Sequence, residues 1–248
     1  MAFSGGVDSA LLLKIAKEVL DDRVLAVTAL SETYPAGELA CAKGLAKRLK
    51  ARHKVLRTQE LKDPRFRNNP ADRCYYCKKE LFSRLKKLAA AHRLNCVVDG
   101  SNADDFLDYR PGAKAKKEFH VVSPLQEAGL TKKDIRSLSK KYALSTWCKP
   151  ALACLASRIP YGSKISKERL TRIDKAEAIL RKALRIKGNL RVRDFKDLAC
   201  IEVDKNEIKR LALSAKPGEL LKSLGYKNVV VDLKGYRTGS LNEELRKR

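Results

Sequence analysis

The chain is 248 residues long, enough to bury the core of one large or two modest domains. Its 54 Lys and Arg against 29 Asp and Glu give a net charge of +25, which favours anionic ligands and permits RNA without showing it. No apolar stretch approaches the length of a membrane span, and Asp8 and Lys14 interrupt the N-terminal apolar run. A cytoplasmic protein without a signal peptide is therefore expected.

The chain opens on Ser4-Gly5-Gly6-Val7-Asp8-Ser9, followed by a run with helical spacing from Ser9 to Leu20. Two glycines let backbone approach a ligand closely, and the N–H groups and dipole of the following helix favour an anion. Ser4 and Ser9 add hydroxyl donors, and Asp8 is placed to orient the loop or hold Mg²⁺. No Gly-Lys-Ser/Thr follows, so this is not a Walker A loop. It resembles the SGGxDS loop of the PP-loop ATP pyrophosphatases, which split ATP between its α and β phosphates to adenylate a substrate. That resemblance assigns ATP to Ser4, Gly5, Gly6, Asp8 and Ser9. Only Met1-Ala2-Phe3 precede Ser4, so the strand that should lead into such a loop is expected to be a stub or missing.

Strand and helix signals then alternate. Val24–Leu30, His53–Arg57, Asn95–Asp99 and His120–Leu125 read as strands, while Gly37–Lys50, Glu80–Arg93 and Lys132–Tyr142 read as helices. Such alternation predicts an α/β fold with a parallel sheet covered by helices on both faces. Ligands bind beyond the carboxyl ends of such strands, where Gly100 and Ser101 join the loop as ATP-site candidates. The Lys116-Lys117, Lys132-Lys133 and Lys140-Lys141 pairs read as solvated surface. Character changes near Lys149-Pro150. A charged helix over Ile165–Leu184 is followed by an alternating hairpin over Leu190–Val203, helices over Asn206–Ser214 and Pro217–Leu224, and a last strand over Asn228–Leu233. Two domains are expected, a PP-loop domain at 1–149 and a smaller α+β domain at 150–248 that binds substrate and mediates oligomerisation.

Seven cysteines in a cytoplasmic chain argue for thiols, metal or catalysis before disulfides. Cys41, Cys96 and Cys200 lie in apolar patterns and read as small buried residues. Cys74 and Cys77 stand three positions apart at a helix entry, flanked by Arg73, Lys78 and Lys79, whose charges favour thiolate. A single C-x-x-C fits a redox pair, half a zinc site or part of an iron–sulfur cluster. The only histidines are His53, His92 and His120, which offer no obvious zinc partner set. Cys154 lies in a loop shaped by Pro150, Pro160 and Gly162. Arg158, four residues on, suits a thiolate or an anion.

Taken in order, SGGVDS, NPADRCYYCKKELF (Asn69 to Phe82), DGSNADD (Asp99 to Asp105), DYRPG (Asp108 to Gly112), KPALACLASRIPYG (Lys149 to Gly162) and GYRTGSLNE (Gly235 to Glu243) closely resemble the LarE family of ATP-dependent sacrificial sulfur transferases. The resemblance spans essentially the whole chain. It implies adenylation of a carboxylate of pyridinium-3,5-biscarboxylic acid mononucleotide, then displacement of AMP by sulfur to give a thiocarboxylate for the nickel-pincer nucleotide cofactor. Family members with one such cysteine give up its sulfur and keep dehydroalanine. Members with three resemble holders of a 4Fe–4S cluster whose open iron carries an extra sulfide. Cys74, Cys77 and Cys154 match the three-cysteine type, so the implied cofactors are ATP, Mg²⁺ and a 4Fe–4S cluster, and the implied partners are a small nucleotide substrate and sulfide or another sulfur donor. A homo-oligomer is also implied.

Cations are needed for the substrate's phosphate and carboxylates. Arg158, Arg191 and Arg193 are the candidates, with Arg110 behind them, and Glu202 on the paired strand would orient the arginines or bind magnesium. Where relatives tend to carry His and Gly after the second of these arginines, this chain has Asp194-Phe195-Lys196, and Cys200 replaces a usually basic residue. A pocket that differs in detail is therefore expected. Two rival readings remain beside this one: a PP-loop tRNA thiolase, favoured by the charge and opposed by the later motifs, and a non-catalytic basic RNA-binding protein.

Overall fold

Hydrophobic side chains that alternate along a strand serve two cores at once, and the segment 24–27 does this. Val24 and Ala26 pack with Leu11, Leu13, Ala42, Leu45 and Ile135, while Leu25 and Val27 pack with Phe82, Leu85, Ala89 and Ala115. In a computed structural model, which describes residues 1–107, 111–150, 153–237 and 239–243, the elements carrying these residues form a mixed α/β arrangement. The chain divides into two compact units, Met1–Phe66 with Asp72–Leu152, and Arg67–Ala71 with Ala153–Arg248. Among the described residues no helix is long and apolar enough to cross a membrane.

The first unit contains α1 (Val7–Leu20), β1 (Leu25–Leu30), α2 (Ala36–Arg48), β2 (Arg52–Arg57), most of α3 (Pro64–Arg67), α4 (Arg73–Ala91), α5 (Gly112–Glu118), α6 (Pro124–Glu127) and α7 (Lys132–Lys141). β1 and β2 pair in parallel, with Leu25 opposite Arg52 and Leu30 opposite Arg57. The expected stub is present and paired on both sides. Phe3 N donates to Val27 O and Ala2 N to Val98 O, both at 2.8 Å. The segments expected as strands at 95–99 and 120–125 reduce to a parallel bridge between Val98 and Val122. Pro124 ends the second of them, because its fixed φ suits the first turn of α6. The Thr131–Asp134 capping box starts α7.

The second unit contains α8 (Lys167–Ala183), β3 (Leu190–Phe195), β4 (Leu198–Val203), α9 (Lys205–Ala212), α10 (Lys216–Lys222) and β5 (Asn228–Val231). β3 and β4 form the expected antiparallel hairpin, and β5 pairs in parallel with β4 on its other side. Leu190, Val192, Ala199, Ile201 and Val203 bury against Ala176 and Leu180 of α8, with Leu211, Leu221 and Tyr226. The segment 67–71 joins this unit through Asn69, which is fully buried. Asn69 Nδ2 donates to Ile159 O, Pro160 O and Ser163 O at 2.7–3.2 Å, and Asn69 O accepts from Gly162 N at 2.9 Å.

Asp194 sits on the apolar face of β3 and is 0 % exposed. A charge there is tolerated only if it is fully met by donors. Arg169 and Arg172 of α8 each reach it at 2.6 Å, and the Tyr226 hydroxyl donates at 3.0 Å. The departure from the family pattern at this position is thus occupied by a buried junction between α8, β3 and the turn before β5. Asp194→Ala removes the anion and leaves two cations around a cavity, so it is expected to lower the unfolding free energy by roughly 3–5 kcal/mol in urea titrations.

Candidate active site

The first cluster of candidate residues lies at the N-terminus of α1. Gly5 has φ +70°, in the left-handed region, and a Cβ there would meet Ala42 Cα at 3.1 Å. Glycine is the residue that fits this turn. The loop is cross-braced by its own hydroxyls. Ser4 Oγ and Ser9 Oγ are 3.2 Å apart, Gly6 N donates to Ser4 Oγ, and Ser9 Oγ donates to Gly6 O. Tyr34 Oη donates to Ser4 O at 2.8 Å, and Lys149 Nζ donates to Gly5 O at 3.3 Å while pairing with Glu38 at 2.6 Å. The 99–105 motif closes on the same helix end. A Cβ on Gly100 would lie 3.1 Å from Ser9 N, and Asn102 Nδ2 donates to Asp8 Oδ1 at 3.1 Å. Asp8 also forms an ion pair with Lys132, the first residue of α7. Ser101 Oγ and Ser123 Oγ donate to the two oxygens of Asp99, at 2.9 and 2.7 Å. Ser4, Gly5, Gly6, Asp8, Ser9, Gly100 and Ser101 therefore come together at one helix N-terminus, where backbone N–H groups and the helix dipole favour an anion.

Cys74 and Cys77 occupy the first turns of α4, where a spacing of three puts them on one helix face, and both are half-buried. Tyr75 and Tyr76 beside them stack edge to face at 5.2 Å. Lys79 and Lys114 lie over the Tyr75 ring, and Arg65 lies over Tyr76.

The second unit carries the other cluster. Arg158 is 2 % exposed and grips Glu177 with two bonds of 2.8 and 2.9 Å. Its remaining nitrogen donates to Ala153 O and Cys154 O at 2.7 and 2.9 Å. Glu177 in turn accepts from Val192 N at 3.0 Å. Burial opposes the charge on Arg158, and Glu177 more than offsets it. The Cys154 carbonyl is thereby fixed while Cys154 itself is exposed. Arg191 and Arg193 share the opposite face of β3 from Asp194 and are 6 % exposed, which rules out a solvated hairpin face. Arg193 donates to Ser157 O and Glu202 at 2.6 Å and to Ser240 Oγ at 2.8 Å. Arg191 lies over the Tyr236 ring. Burial, and after it the charge of Arg158, hold the Arg191 guanidinium below the usual arginine range. Tyr161 Oη donates to Asn242 at 2.9 Å, so the 153–162 and 235–242 motifs converge on the arginine face of β3.

No protein-family model matches the chain. A search of curated proteins finds an uncharacterized protein of Synechocystis at 41 % identity, covering 100 % of this chain and 92 % of the relative. It also finds the pyridinium-3,5-bisthiocarboxylic acid mononucleotide synthase of Lactiplantibacillus plantarum, at 39 % identity over 100 % of this chain and 90 % of the relative. The chain belongs to the LarE family. A third relative, an uncharacterized protein of Methanocaldococcus jannaschii, is 33 % identical over 96 % of the chain and 90 % of its own length.

Within this LarE chain, several expectations need amending. Cys41 and Cys96 are exposed, not buried, since each falls on the outward side of its local pattern. Arg110, named as a lesser candidate, lies outside the described residues, as do parts of the DYRPG, KPALACLASRIPYG and GYRTGSLNE motifs. Two lysine pairs read as solvated surface are split by the helix. Lys117 and Lys133 are exposed, whereas Lys116 and Lys132 are half-buried, Lys116 turned to Ser101, Ser123 and Gln126 and Lys132 to Asp8. Their positions beside Ala115, which is buried, and in the first turn of a capped helix are the signal that distinguishes them. Among the described residues of either unit, no three His, Cys, Asp or Glu side chains converge as metal ligands.

Gly5→Ala forces a side chain into a left-handed backbone against Ala42. It is expected to lower stability by about 1–2 kcal/mol in thermal denaturation. Gly37→Ala, whose methyl would meet nothing, is expected not to lower it. Burial, followed by the charges of Asp232 and Glu202, pushes the Cys200 thiol up to about 11. At pH 8 it holds about a hundredfold less thiolate than an ordinary thiol. Timed alkylation read by peptide mass spectrometry is expected to label Cys154 early and Cys200 last.

Proposed function

We propose that this chain is an ATP-dependent, AMP-forming sulfur transferase acting on pyridinium-3,5-biscarboxylic acid mononucleotide. The 39 % identity over the full chain to a synthase of the bisthiocarboxylic acid mononucleotide carries this reading. A PP-loop domain would hold ATP, with the triphosphate against Ser4–Ser9, Gly100 and Ser101. A substrate carboxylate oxygen attacks the α phosphorus, the bond from that phosphorus to the bridging oxygen breaks, and pyrophosphate leaves. A sulfur nucleophile then displaces AMP. Asp8, oriented by Asn102 and Lys132, would take the Mg²⁺ that accompanies ATP, sharing it with phosphate oxygens as Mg²⁺ sites commonly do.

The smaller unit would receive the substrate. Arg191, buried beside Arg158 on the arginine face of β3, would take an incoming phosphate or carboxylate. Arg193 and Glu202 form a buried pair that fixes this face, and Arg158 shapes the loop that presents Cys154. Leu213, Val230 and Leu233, exposed near the β5 edge, offer an apolar surface for the self-association implied by the family.

The donor chemistry of Cys74, Cys77 and Cys154 fits a cluster held by three thiolates: none is in a disulfide, and two share a helix face. A bound 4Fe–4S cluster would supply an iron open to an extra sulfide, a nucleophile ionised at neutral pH.

The test is anaerobic purification with iron, acid-labile sulfide and product assays. About four irons per chain, lost in Cys74→Ala, Cys77→Ala and Cys154→Ala, together with AMP and thiocarboxylate formation, is the expected result. Thiocarboxylate made by iron-free protein, with one sulfur lost from Cys154, would replace the cluster with a sacrificial thiol. Absence of both AMP and thiocarboxylate in well-folded protein supplied with ATP, Mg²⁺, substrate and sulfide would overturn the reading as a whole.

A further inference from the structure

Lys116 lies on α5, half-buried, with its ammonium surrounded by neutral oxygens. Nζ donates to Ser101 Oγ at 3.0 Å, Ser123 Oγ at 3.2 Å and Gln126 Oε1 at 3.3 Å. Both serine hydroxyls give their own protons to Asp99, so their lone pairs are turned to the lysine. Among the described residues Lys116 has no carboxylate within ion-pairing distance, unlike Lys132, which pairs with Asp8, and Lys149, which pairs with Glu38. Asp99 is held off by those two bridging hydroxyls, so the half-buried ammonium touches only neutral oxygens and has room for a second, directly bound anion.

Its location says which anion. Ser101 follows Gly100, and Gly100 is pressed so closely on the first turn of α1 that a Cβ would touch Ser9 N and Cα. Lys116 thus bonds the residue that directly follows the glycine packed on the first turn of α1. Its three hydrogens are spent on Ser101, Ser123 and Gln126, and the longest of these bonds, 3.3 Å to Gln126 Oε1, is the one a phosphate oxygen would take over.

We infer that Lys116 binds the β and γ phosphates of ATP and neutralises the pyrophosphate as it leaves. The inference rests on the reading of the Ser4–Ser9 loop as an ATP site. In the adenylation step the electron pair of the broken phosphorus–oxygen bond goes to the departing pyrophosphate, and the charge that develops there is what Lys116 meets. No proton changes hands. The Ser101–Asp99–Ser123 brace acts through Lys116 by holding its side chain in place, so these three are positioning residues.

Calorimetric titration of the full chain with MgATP, inorganic pyrophosphate and AMP separates this role from damage to the scaffold. Lys116→Gln keeps a hydrogen-bond donor and loses the charge. Binding of MgATP and pyrophosphate is expected to weaken about ten- to a hundredfold, while AMP, which has no β or γ phosphate, binds as before. Lys116→Arg is expected to restore most of the lost affinity, and Lys117→Gln on the exposed side of the helix to match wild type. In turnover, Lys116→Gln is expected to lower kcat for pyrophosphate release along with raising KM for ATP. Unchanged pyrophosphate affinity in Lys116→Gln, or an equal loss for AMP, would overturn the inference while leaving the ATP reading intact. Wild-type protein that binds neither MgATP nor pyrophosphate would overturn the ATP reading itself, and the inference with it.

Discussion

The pair between Arg158 and Glu177 is the interaction on which the second unit's site depends. A guanidinium this deeply buried needs a carboxylate partner in good geometry and acceptors for its other hydrogens. Glu177 provides the first from α8, and the Ala153 and Cys154 carbonyls provide the second. Because Glu177 also accepts from Val192 N, one carboxylate ties the helix to the strand that carries Arg191 and Arg193. The exposed thiol of Cys154 therefore stands on a backbone fixed from below. A nucleophile or ligand presented this way is placed by rigid groups even though it belongs to a loop.

A comparable division of labour governs the first unit. The backbone geometry of the α1 entry comes from two glycines that admit close contact, while side chains from the β1–α2 turn, the 99–105 segment, α7 and the stretch after it brace it from outside. Tyr34 and Lys149 hold loop carbonyls, and Asn102 and Lys132 hold Asp8. Tyr34 and Asn102 reach the α1 entry because they follow β1 and the Val98 bridge, and parallel strands release their chains at their carboxyl ends, while Lys132 and Lys149 come from α7 and the segment after it.

Local patterns made much of this readable in the residues alone. The Ser/Gly loop carries its own chemistry, helix and strand periods locate most elements, and the C-x-x-C spacing places both thiols at a helix entry. What could not be read was direction. Lys116 and Lys117 are neighbours in sequence, yet a helix turns successive residues by about 100°, so one faces in and one faces out. Arg158 and Arg193 look like anion binders because arginine usually is one at such a place. Only the positions of Glu177, Glu202 and Ser240 show that most of their donors are engaged, with Arg193 Nε buried and without a hydrogen-bond partner among the described residues. The same holds for the cationic excess: Arg158, Arg169, Arg172 and Arg193 contribute to it while working inside the second unit. Net charge by itself is therefore a poor guide to how much of the surface is basic.

The interleaving of segment 67–71 into the second unit has a consequence for synthesis. Asn69 leaves the ribosome about 90 residues ahead of its acceptors at Ile159, Pro160 and Ser163. During that interval these three carbonyl acceptors are not yet available to its amide, whose residue sits in the left-handed region (φ +55°) in the finished fold. The contact can close only after the intervening elements have been made, at the entropic cost of a long loop. The second unit is thus completed by a peptide translated early and stored, and a gene fragment starting at Ala153 would encode a unit with its inner strap missing.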